Sequence, residues 1–595
     1  MKNSPKNLIC IFIGIVFSIL FSAGLSATET GKDTKDTTPS ISIKKDNDTF
    51  LNENKLFLYN LYSTMGKAYG SPYLNLPAIY FKMKSQPSGM LLDFTPPREK
   101  RLGRALVEGL AHFAYGTSSY WIRQDQNAED WEFHFTWKEQ WDRIFKLKGV
   151  RFDSNSFSFN WTHSLAGAMY YQYARQNNLS SFESFLYTFG CSLLWESFVE
   201  YKEVVSINDM ITTPFGGLSI GEPFYHFGRY FRGQPPSFTN RILRLVSNPF
   251  MALNEWLDRK QFPNQYKPTE KSWHDFRLIG GPRFDTFSGQ DSNSYMRIGL
   301  DTQIIHIPEY GEVGTTSRSL KNTVFTELNF NGVLKKSSLH EYSIFAKAIL
   351  FGYFTQHINS SAEAQPQPGN SSSMDTTHEA VINWDEQKGH SFFVGLSTAF
   401  DLFNRAEKKT TTTGIASVDP TTPDMADQYC IINVLGPAFD LTLYKKALRI
   451  RLTGDAYADF GQIHSVPFKK YAELNDVGIT KCTLAEHGYY YAMGVTLSSM
   501  LQVNYSNIEL KGNVKYHSLV SIDGRDRFQR DITPGSDFNL KDRRTIFDLS
   551  LGYQIPGTPI QMALGIEKIN RWGSLESFKQ TNSEKRSYIN VRYLF

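Results

Sequence analysis

One histidine and four carboxylates stand close together in the sequence, and as a group they could do chemistry. His163 comes first, Glu196 and Glu200 are four residues apart, and Asp209 and Glu222 follow. If they converge, His163, Glu196 and Glu200 could hold a transition metal, which accepts imidazole and carboxylate ligands. His163 with Glu196 or Asp209 could instead form a catalytic base and its orienting group beside a lipid ester. The metal set and the catalytic set overlap, and the cofactor is unknown.

The spacing of these residues matches no strong metal motif. The sequence has no His-Glu-x-x-His pair, and Cys191 belongs to no Cys-x-x-Cys pair. Glu196, Glu200 and Glu203 could equally be the solvated face of one amphipathic helix, because charge stripes on such helices usually face solvent. The sequence favours this structural interpretation. The candidate ion-pair partners of the three glutamates are Arg175, Lys202 and Arg229.

Helices are predicted to position the candidate residues. The first begins at Thr162 or His163 and ends near Asn177 and Asn178, because asparagine tolerates the left-handed conformation of a helix C-cap. The second runs from Ser180 to Glu203, with a serine as N-cap and an acidic residue in its first turn. Its aromatic and aliphatic residues are expected to form the apolar surface of the helix.

A third helix is predicted to begin at Thr213-Pro214, which reads as an N-cap followed by the first helical residue. Ser206 and Asp209 supply further capping groups just before it. Gly217 and Gly221 are four residues apart and would let another backbone approach closely.

These residues carry a family resemblance. The pattern resembles a bacterial envelope family known only as domain of unknown function 3943, over roughly a hundred residues. It differs where His163-Ser164 replaces His-Pro and where Asn178 replaces glycine. The resemblance implies an envelope location and no assigned reaction. Its residues are His163, Gly167, Tyr171, Arg175, Ser192, Trp195, Glu196, Glu200, Ser206–Asp209, Thr213-Pro214, Gly216-Gly217, Gly221 and Glu222.

Two of these motif residues have a structural and a functional interpretation. Arg175 could be a salt-bridge partner or a contact for a lipid phosphate, and the first is favoured. Trp195 is expected to pack or to anchor at a membrane interface rather than to form a platform for a substrate.

The second half of the chain predicts a transmembrane β-barrel. From about residue 275, runs of 10 to 15 residues alternate between apolar and charged side chains and are separated by polar turns. In 296–304, Met296 and Ile298 share one face, while Arg297 and Asp301 share the other. We expect about twelve strands, an even number as in single-chain bacterial barrels. The fold class is therefore α+β: a helical region followed by an antiparallel barrel.

Turn chemistry predicts how the strands connect. Lys445-Lys446 and 556–558 indicate tight periplasmic turns, whereas 360–377 and 408–426 are rich in Ser, Thr and Pro and indicate outer loops. The last strand alternates up to Phe595 and resembles the terminal signal that the barrel assembly machinery reads as an added strand. The expected partners are this machinery and outer-membrane lipid.

Composition and the first residues support the same class. Aromatic residues make up 14% of the chain, as expected for barrel girdles, and the net charge of +4 gives no reason to invoke nucleic acid. Lys2, Lys6 and an apolar run indicate a cleaved signal peptide. The predicted divisions are 1–27 signal peptide, 28–54 disordered linker, 55–272 helical region and 273–595 barrel.

Two functions remain open at this point. The first is non-enzymatic: an outer-membrane barrel that serves envelope structure or passage of small solutes, with the helices at the periplasmic mouth or plugging it. The second is an envelope-lipid hydrolase or metal-dependent enzyme built on the His163 set. The first is favoured. Charged residues expected to line the lumen are Arg297, Asp301, Arg449, Arg451, Glu509 and Lys511.

Overall fold

The computed structural model describes most of the chain from residue 99 onwards. The predicted signal peptide and linker, Cys482 and Phe595 lie outside the described residues. No described helix is long and apolar enough to cross a membrane. The described ranges are 99–123, 131–153, 155–234, 237–258, 272–287, 292–307, 309–320, 323–335, 338–360, 387–405, 427–474, 483–522 and 538–594.

The residues before the barrel form helices joined by a two-stranded parallel sheet. The sheet pairs β1 (Val150–Arg151) with β2 (Val205–Ser206). A π-helical turn, Trp195–Val199, continues the fourth helix. The helices are α1 (Leu102–Arg123), α2 (Trp137–Ile144), α3 (Phe157–Gln176), α4 (Ser181–Leu194), α5 (Ile207–Arg232), α6 (Phe238–Ser247) and α7 (Pro249–Leu257).

Capping explains where these helices begin, and it corrects two predicted starts. Ser156 accepts the Phe159 N–H, so α3 begins five residues before Thr162. Ser206 accepts the Asp209 N–H, so α5 begins at Ile207 and runs through Pro214 instead of starting there. Packing against α3 and the barrel holds the proline inside the helix despite its missing N–H.

The end of α3 and the start of α4 agree with the predictions. Asn178 adopts a positive φ of 66° just after α3. Ser180 and Glu183 form a capping box at the start of α4. The predicted continuation of α4 as regular helix to Glu203 is wrong, because the π-helical turn changes the backbone hydrogen bonding from Trp195 onwards.

The strands form a closed antiparallel barrel of twelve strands, as predicted. The twelve are β3 (Trp273–Phe287), β4 (Asn293–Ile305), β6 (Phe325–Lys335), β7 (Ser338–Ser360), β8 (Gln387–Arg405), β9 (Asp427–Lys445), β10 (Leu448–His464), β11 (Tyr489–Tyr505), β12 (Ile508–Ser521), β13 (Leu540–Gln554), β14 (Ile560–Leu575) and β15 (Phe578–Leu594). The strand order closes because β3 pairs with β15 on one side and β7 with β8 on the other. The extra strand β5 (Gly314–Leu320) pairs with the last part of β7.

The two rims of the barrel differ in how strands are joined. At the terminal rim, where β3 begins and β15 ends, the predicted tight turn Lys445–Leu448 is present. Ser360 pairs with Gln387 and Lys388 with Lys445, so the predicted loop 360–377 also leaves from the terminal rim. The predicted loop 408–426 joins strands at the opposite, far rim. The prediction that both loops lie on one outer side is therefore wrong, because one strand, β8, crosses the barrel between their attachment points.

Alternation divides the wall into a charged inside and an apolar outside. Arg297, Asp301 and Gln303 of β4 line the interior, whereas Met296 is exposed on the outside. Around the β11–β15 wall the outward side chains are exposed and apolar. They include Val495, Leu497, Val514, Phe547, Leu551, Leu564, Ile566, Ile589 and Val591.

The helices pack on the outside of this wall, and the prediction that they plug or underlie the barrel is wrong. Asp401 of β8 faces the lumen, so its neighbours Phe400 and Leu402 point outward. Both are buried in one cluster with Trp161 of α3 and Ile220 of α5. The physical reason is chemical matching: the apolar helix surface finds apolar side chains outside the wall, whereas the inside is charged.

Candidate functional site

Several predicted site residues meet in a polar cluster where α3 and α5 begin. The cluster comprises Asp153, His163, Glu196, Ser206, Asn208 and Asp209. His163 Nε2 lies 3.4 Å from Asp209 Oδ2. The backbone N–H of Ser206 donates to Glu196 Oε2 at 3.0 Å. Asn208 Nδ2 donates to Asp209 Oδ1 at 2.9 Å. Three predicted residues, His163, Glu196 and Asp209, are thus brought to one place.

Asp153 ties the polar cluster to the outer wall of the barrel. Its Oδ2 accepts from Ser206 Oγ at 2.9 Å and from Asn208 Nδ2 at 3.0 Å. Its Oδ1 accepts from the Tyr491 hydroxyl of β11 at 3.0 Å. Asn160 donates to the hydroxyls of Tyr489 and Tyr491, both at 2.7 Å. Sequence analysis missed Asp153 and these tyrosines, because their contacts join the helical region to β11, more than 300 residues away.

Glu200 is directed to a different partner. Its Oε1 accepts from the Trp195 indole N–H at 2.8 Å, a bond made within the π-helical turn. The predicted role of Trp195 in packing agrees with its edge-to-face contact to Phe113 at 5.8 Å. Glu200 and Glu196 therefore make separate hydrogen bonds although they are four residues apart.

A buried arginine that the sequence did not single out holds this turn. Arg143 of α2 is fully buried. Its guanidinium donates to the backbone carbonyls of Glu196, Ser197, Glu200 and Glu203, at 2.6 to 3.0 Å. These carbonyls are where a regular helix would end, so the arginine satisfies acceptors that otherwise lack partners. No local pattern marks such a residue, because its targets are backbone atoms of another helix.

The prediction that the glutamate stripe of α4 faces solvent is wrong. Glu196 is 1% exposed, whereas Phe182 is 63% and Phe198 67% exposed. The buried face of α4 consists of small and polar residues, and its aromatic face points away from the protein. Buried residues of α4 are Ser181, Ser184, Thr188, Cys191 and Ser192.

Glu222 does not join the polar cluster, so the predicted convergence of all five residues is wrong. It follows Asp209 by 13 residues on α5, which is about 20 Å along a helix. There Arg175 donates to both carboxylate oxygens of Glu222, at 2.9 and 2.6 Å, and the Tyr171 hydroxyl donates at 2.7 Å. The salt-bridge interpretation of Arg175 is confirmed.

Glycines let α3 and α5 approach closely. A Cβ on Gly217 would lie 2.6 Å from the carbonyl carbon of Gly167, and one on Gly167 would lie 1.8 Å from the carbonyl oxygen of Thr213. A Cβ on Gly221 would meet the Tyr171 ring at 2.7 Å. The predicted close contact at Gly217 and Gly221 is confirmed, since any larger residue would collide with backbone or ring atoms.

Ser219 escaped the sequence analysis although Gly217–Gly221 reads Gly-Leu-Ser-Ile-Gly, the pattern of a hydrolase nucleophile. That chemistry needs the serine on a sharp turn between a strand and a helix. Ser219 lies in the middle of α5, fully buried, and its hydroxyl is 3.1 Å from Thr398 Oγ1 on the barrel wall. The glycines of this pattern serve packing.

The metal assignment stays a prediction. Within the described residues, no three His, Cys, Asp or Glu side chains are grouped so that they could hold a metal ion. His163 Nδ1 lies 3.2 Å from the carbonyls of Phe159 and Asn160, and its other nitrogen faces Asp209. The geometry supplies a buried hydrogen-bonded cluster in which His163, Glu196 and Asp209 already have protein partners.

Comparison with protein families places these residues in a known domain. The model of the domain of unknown function DUF3943 matches residues 149–251, a range that holds all six residues of the polar cluster. The chain carries a DUF3943 domain. Its matched range begins at β1 and ends within α7, so it covers most of the helical unit that packs on the barrel, while α1 and α2 precede it. No curated protein matches the chain.

Solved outer-membrane barrels are among the structures that match the chain. One is "Outer-membrane expressed OmpT of Vibrio cholerae", with 9% identity, 55% of this chain and 98% of that chain covered, and a TM-score of 0.18. Another is "TodX monoaromatic hydrocarbon channel deltaS2 mutant", with 8% identity, coverage of 55% and 91%, and a TM-score of 0.21. A third is "Salmonella typhi OmpF complex with Daunomycin", with 8% identity, coverage of 55% and 98%, and a TM-score of 0.17. The barrel assignment rests on the strand pairing, since these TM-scores are low.

Beside the DUF3943 domain, the barrel lumen is the second candidate site, and ion pairs cross it. Arg405 of β8 lies 3.0 Å from Glu584 of β15, and Lys515 of β12 lies 2.7 Å from Asp401 of β8. These strands are not neighbours, so the pairs span the interior. Further pairs between strands that are not neighbours are Arg544–Asp427, Lys347–Asp455 and Arg277–Glu509.

Polypeptide outside the barrel strands packs at both rims of the lumen. At the far rim, α8 (Phe468–Leu474) and α9 (Thr483–His487) lie between β10 and β11, and Leu484 shares a buried cluster with the inward-facing Tyr429 and Tyr490. At the terminal rim, Tyr310 packs on Trp273 and Phe354 at 5.4 and 5.7 Å. Between the two rims lies a cavity of about 400 Å³, lined by charges of both signs.

Five of the six predicted lumen residues face the interior of the barrel, as expected. Arg297, Asp301, Arg451 and Lys511 line the cavity. Glu509 accepts from Arg277 and Arg592, each at 2.9 Å. The lumen therefore holds a network of paired charges rather than a row of one sign.

Proposed function

We propose that this protein is an outer-membrane β-barrel with a closed lumen, serving envelope structure, with its DUF3943 domain mounted on the outer wall. The observation that carries the proposal is the set of ion pairs between opposite strands, of which Arg405–Glu584 is one. Each pair bridges the space through which a solute would pass. Opening a pore would separate buried charges, which costs several kcal/mol per pair.

The outer membrane is the proposed location, because a closed barrel with an apolar outside and a charged inside is the structure that crosses this membrane. The predicted signal peptide supports export. Outer-membrane lipid is the proposed partner of the exposed apolar wall. The barrel assembly machinery is the proposed partner of the last strand, β15, which the structure describes up to Leu594.

Passage of small solutes is the less favoured role. The cavity of about 400 Å³ could hold water and small polar molecules. Polypeptide packs at both rims, however, and ion pairs such as Arg405–Glu584 and Lys515–Asp401 cross the space between them. No feature of the described residues favours the enzyme alternative.

Conductance across a planar bilayer tests the closed lumen. We expect no stable current steps from the purified wild-type protein at moderate salt. A double variant, Arg405→Ala with Arg544→Ala, removes two bridging side chains and should produce steps. In that variant Glu584 keeps Arg586 and Asp427 keeps Arg571 as partners.

Insertion must be shown independently. Protein recovered from the vesicles is run on a gel with and without heating, and a folded barrel changes its mobility on heating. Steady wild-type steps of the size seen in the double variant would contradict the closed lumen. A silent double variant that is folded and inserted would show that these two arginines do not close the pathway.

A further inference from the structure

An apolar stripe of α4 is exposed at the surface of the described part of the chain. Phe182, Leu186, Phe189 and Leu193 repeat at intervals of three and four residues and are all exposed. Their spacing puts them on one stripe of the helix. The opposite face carries Ser184, Thr188 and Ser192 and is buried. A helix in water has the reverse arrangement, because apolar area is driven out of water.

Helix α1 has the same arrangement on its own outer face. Leu102, Leu106, Val107 and Leu110 are exposed. The inner face donates and accepts hydrogen bonds: Arg104 pairs with Glu108 and Asp258. Two neighbouring elements of the helical unit therefore expose apolar stripes, which exceeds the scattered apolar residues normal on a soluble surface.

The height of the helical unit matches that of the barrel wall. Helix α5 starts beside the polar cluster, which contacts Tyr491 near the far rim. Near its other end, Phe227 stacks on Phe276 of β3 at the terminal rim, with ring centroids 5.5 Å apart. Its 26 residues extend about 39 Å, enough to pass a hydrocarbon core of about 30 Å.

Helix α5 packs on the outer surface of the barrel wall, and in a transmembrane barrel this outer surface contacts lipid. Outward side chains of β6 to β9, among them Phe330, Ile344 and Phe400, are buried under the helices. Outward side chains farther round the wall, such as Leu497 and Val514, remain exposed. The helical unit therefore stands beside the barrel in the layer that the exposed wall occupies.

We propose that α1 and α4 contact the acyl chains of outer-membrane lipids, so that the lipid surrounds the barrel and its helical unit together. This inference rests on the proposed outer-membrane location. The exposed stripes carry the same kind of apolar side chains as the exposed wall of the barrel, and acyl chains are the occupant that we propose for that wall. The small and polar inner faces then form the core of a helical unit in lipid, where small residues and hydrogen bonds join helices.

Nitroxide labels in proteoliposomes test the inference. Single cysteines are placed at Leu186 and Phe189 of α4 and at Leu110 of α1, with Cys482 replaced by Ser. Cys191 and Cys430 are buried free thiols, and the unsubstituted background measures any label that they take up. Collision rates with oxygen, which partitions into lipid, and with a neutral nickel chelate, which stays in water, are measured for each label.

Two controls calibrate the collision rates. Val514→Cys marks the lipid-facing wall of the barrel, and Lys148→Cys marks a water-facing turn, where the native side chain is 49% exposed. We expect the α1 and α4 labels to match Val514→Cys: high oxygen collision, and nickel collision severalfold lower than at Lys148→Cys.

Three outcomes would overturn the inference. Nickel collision equal to that at Lys148→Cys would place the stripes in water. Low collision with both reagents would show that protein, such as a second copy of the chain, covers them. Nickel collision at Val514→Cys itself would instead show that the wall is not in lipid, and the proposed location would fail with it.

Discussion

At the scale of single residues, Arg143 connects elements that are distant in sequence. Its five donors meet four backbone carbonyls around the π-helical turn, so one side chain satisfies the end of α4. A planar guanidinium can reach several acceptors at once, which a lysine ammonium on a flexible stem does less well. The geometry of the turn that carries Glu196 and Glu200 therefore depends on α2.

We expect Arg143→Ala to lower the free energy of unfolding by about 3 kcal/mol, because it leaves several buried carbonyls without donors. Urea titration of the protein in lipid vesicles, followed by tryptophan fluorescence, measures the change. Lys146→Ala is the control: its ion pair with Asp142 is exposed at the lysine, and its loss should cost less than about 1 kcal/mol. Equal midpoints for the two variants would contradict the assigned role.

At the scale of elements, the contact between α3 and α5 depends on glycine. We expect Gly217→Ala to cost about 3 kcal/mol, because the new methyl group meets backbone atoms of Gly167 that cannot rotate away. Gly190→Ala on α4 is the matched control, since a Cβ there meets no atom within 4 Å. The control should gain up to about 1 kcal/mol from helix propensity. The same urea titration distinguishes the two, and a neutral Gly217→Ala would refute the close approach.

The elements also show what the sequence could predict. The alternation in β4 predicted which side chains face the lumen, because period two fixes two faces of a strand. The pattern could not predict what lies against the apolar face: Phe400 touches helices and Val514 does not, yet both occur in similar runs. Such contacts join residues hundreds of positions apart, and a single sequence gives no sign of them.

The stripe on α4 shows a second limit. Periodicity identified a polar face with Glu196 and an aromatic face with Phe182, and both exist. Amphipathic spacing does not say which face is buried, since that depends on the medium around the helix. If the helix is surrounded by water, its carboxylate face is expected at the surface. A helix surrounded by lipid takes the other orientation.

At the scale of the whole molecule, the barrel should remain folded when the helical unit detaches. Ile220 is buried between α5 and the wall, in the cluster with Phe330, Ile344 and Phe400. Ile220→Glu puts a charge into this contact without a partner, which strongly disfavours docking. We expect a barrel that still shifts in gel mobility on heating, with helices that trypsin cuts much faster than in the wild type. Lys148→Arg on an exposed turn is the control, since it keeps the trypsin site and the positive charge beside Asp142, and it should leave cleavage unchanged.

Loss of both the mobility shift and protease resistance in Ile220→Glu would show that barrel and helices fold as one unit. That result would contradict the expectation that the barrel closes through its own strand pairing, without the helices.

The bonds from Asn160 to Tyr489 and Tyr491 also constrain the order of folding. They join residues 329 and 331 positions apart, and the tyrosines belong to the eighth of the twelve barrel strands. Chain closure over such separations slows folding. The helices are synthesised first, yet their docking surface exists only after most of the wall has formed. In refolding, strand circular dichroism should therefore reach its final value before the helices gain resistance to trypsin.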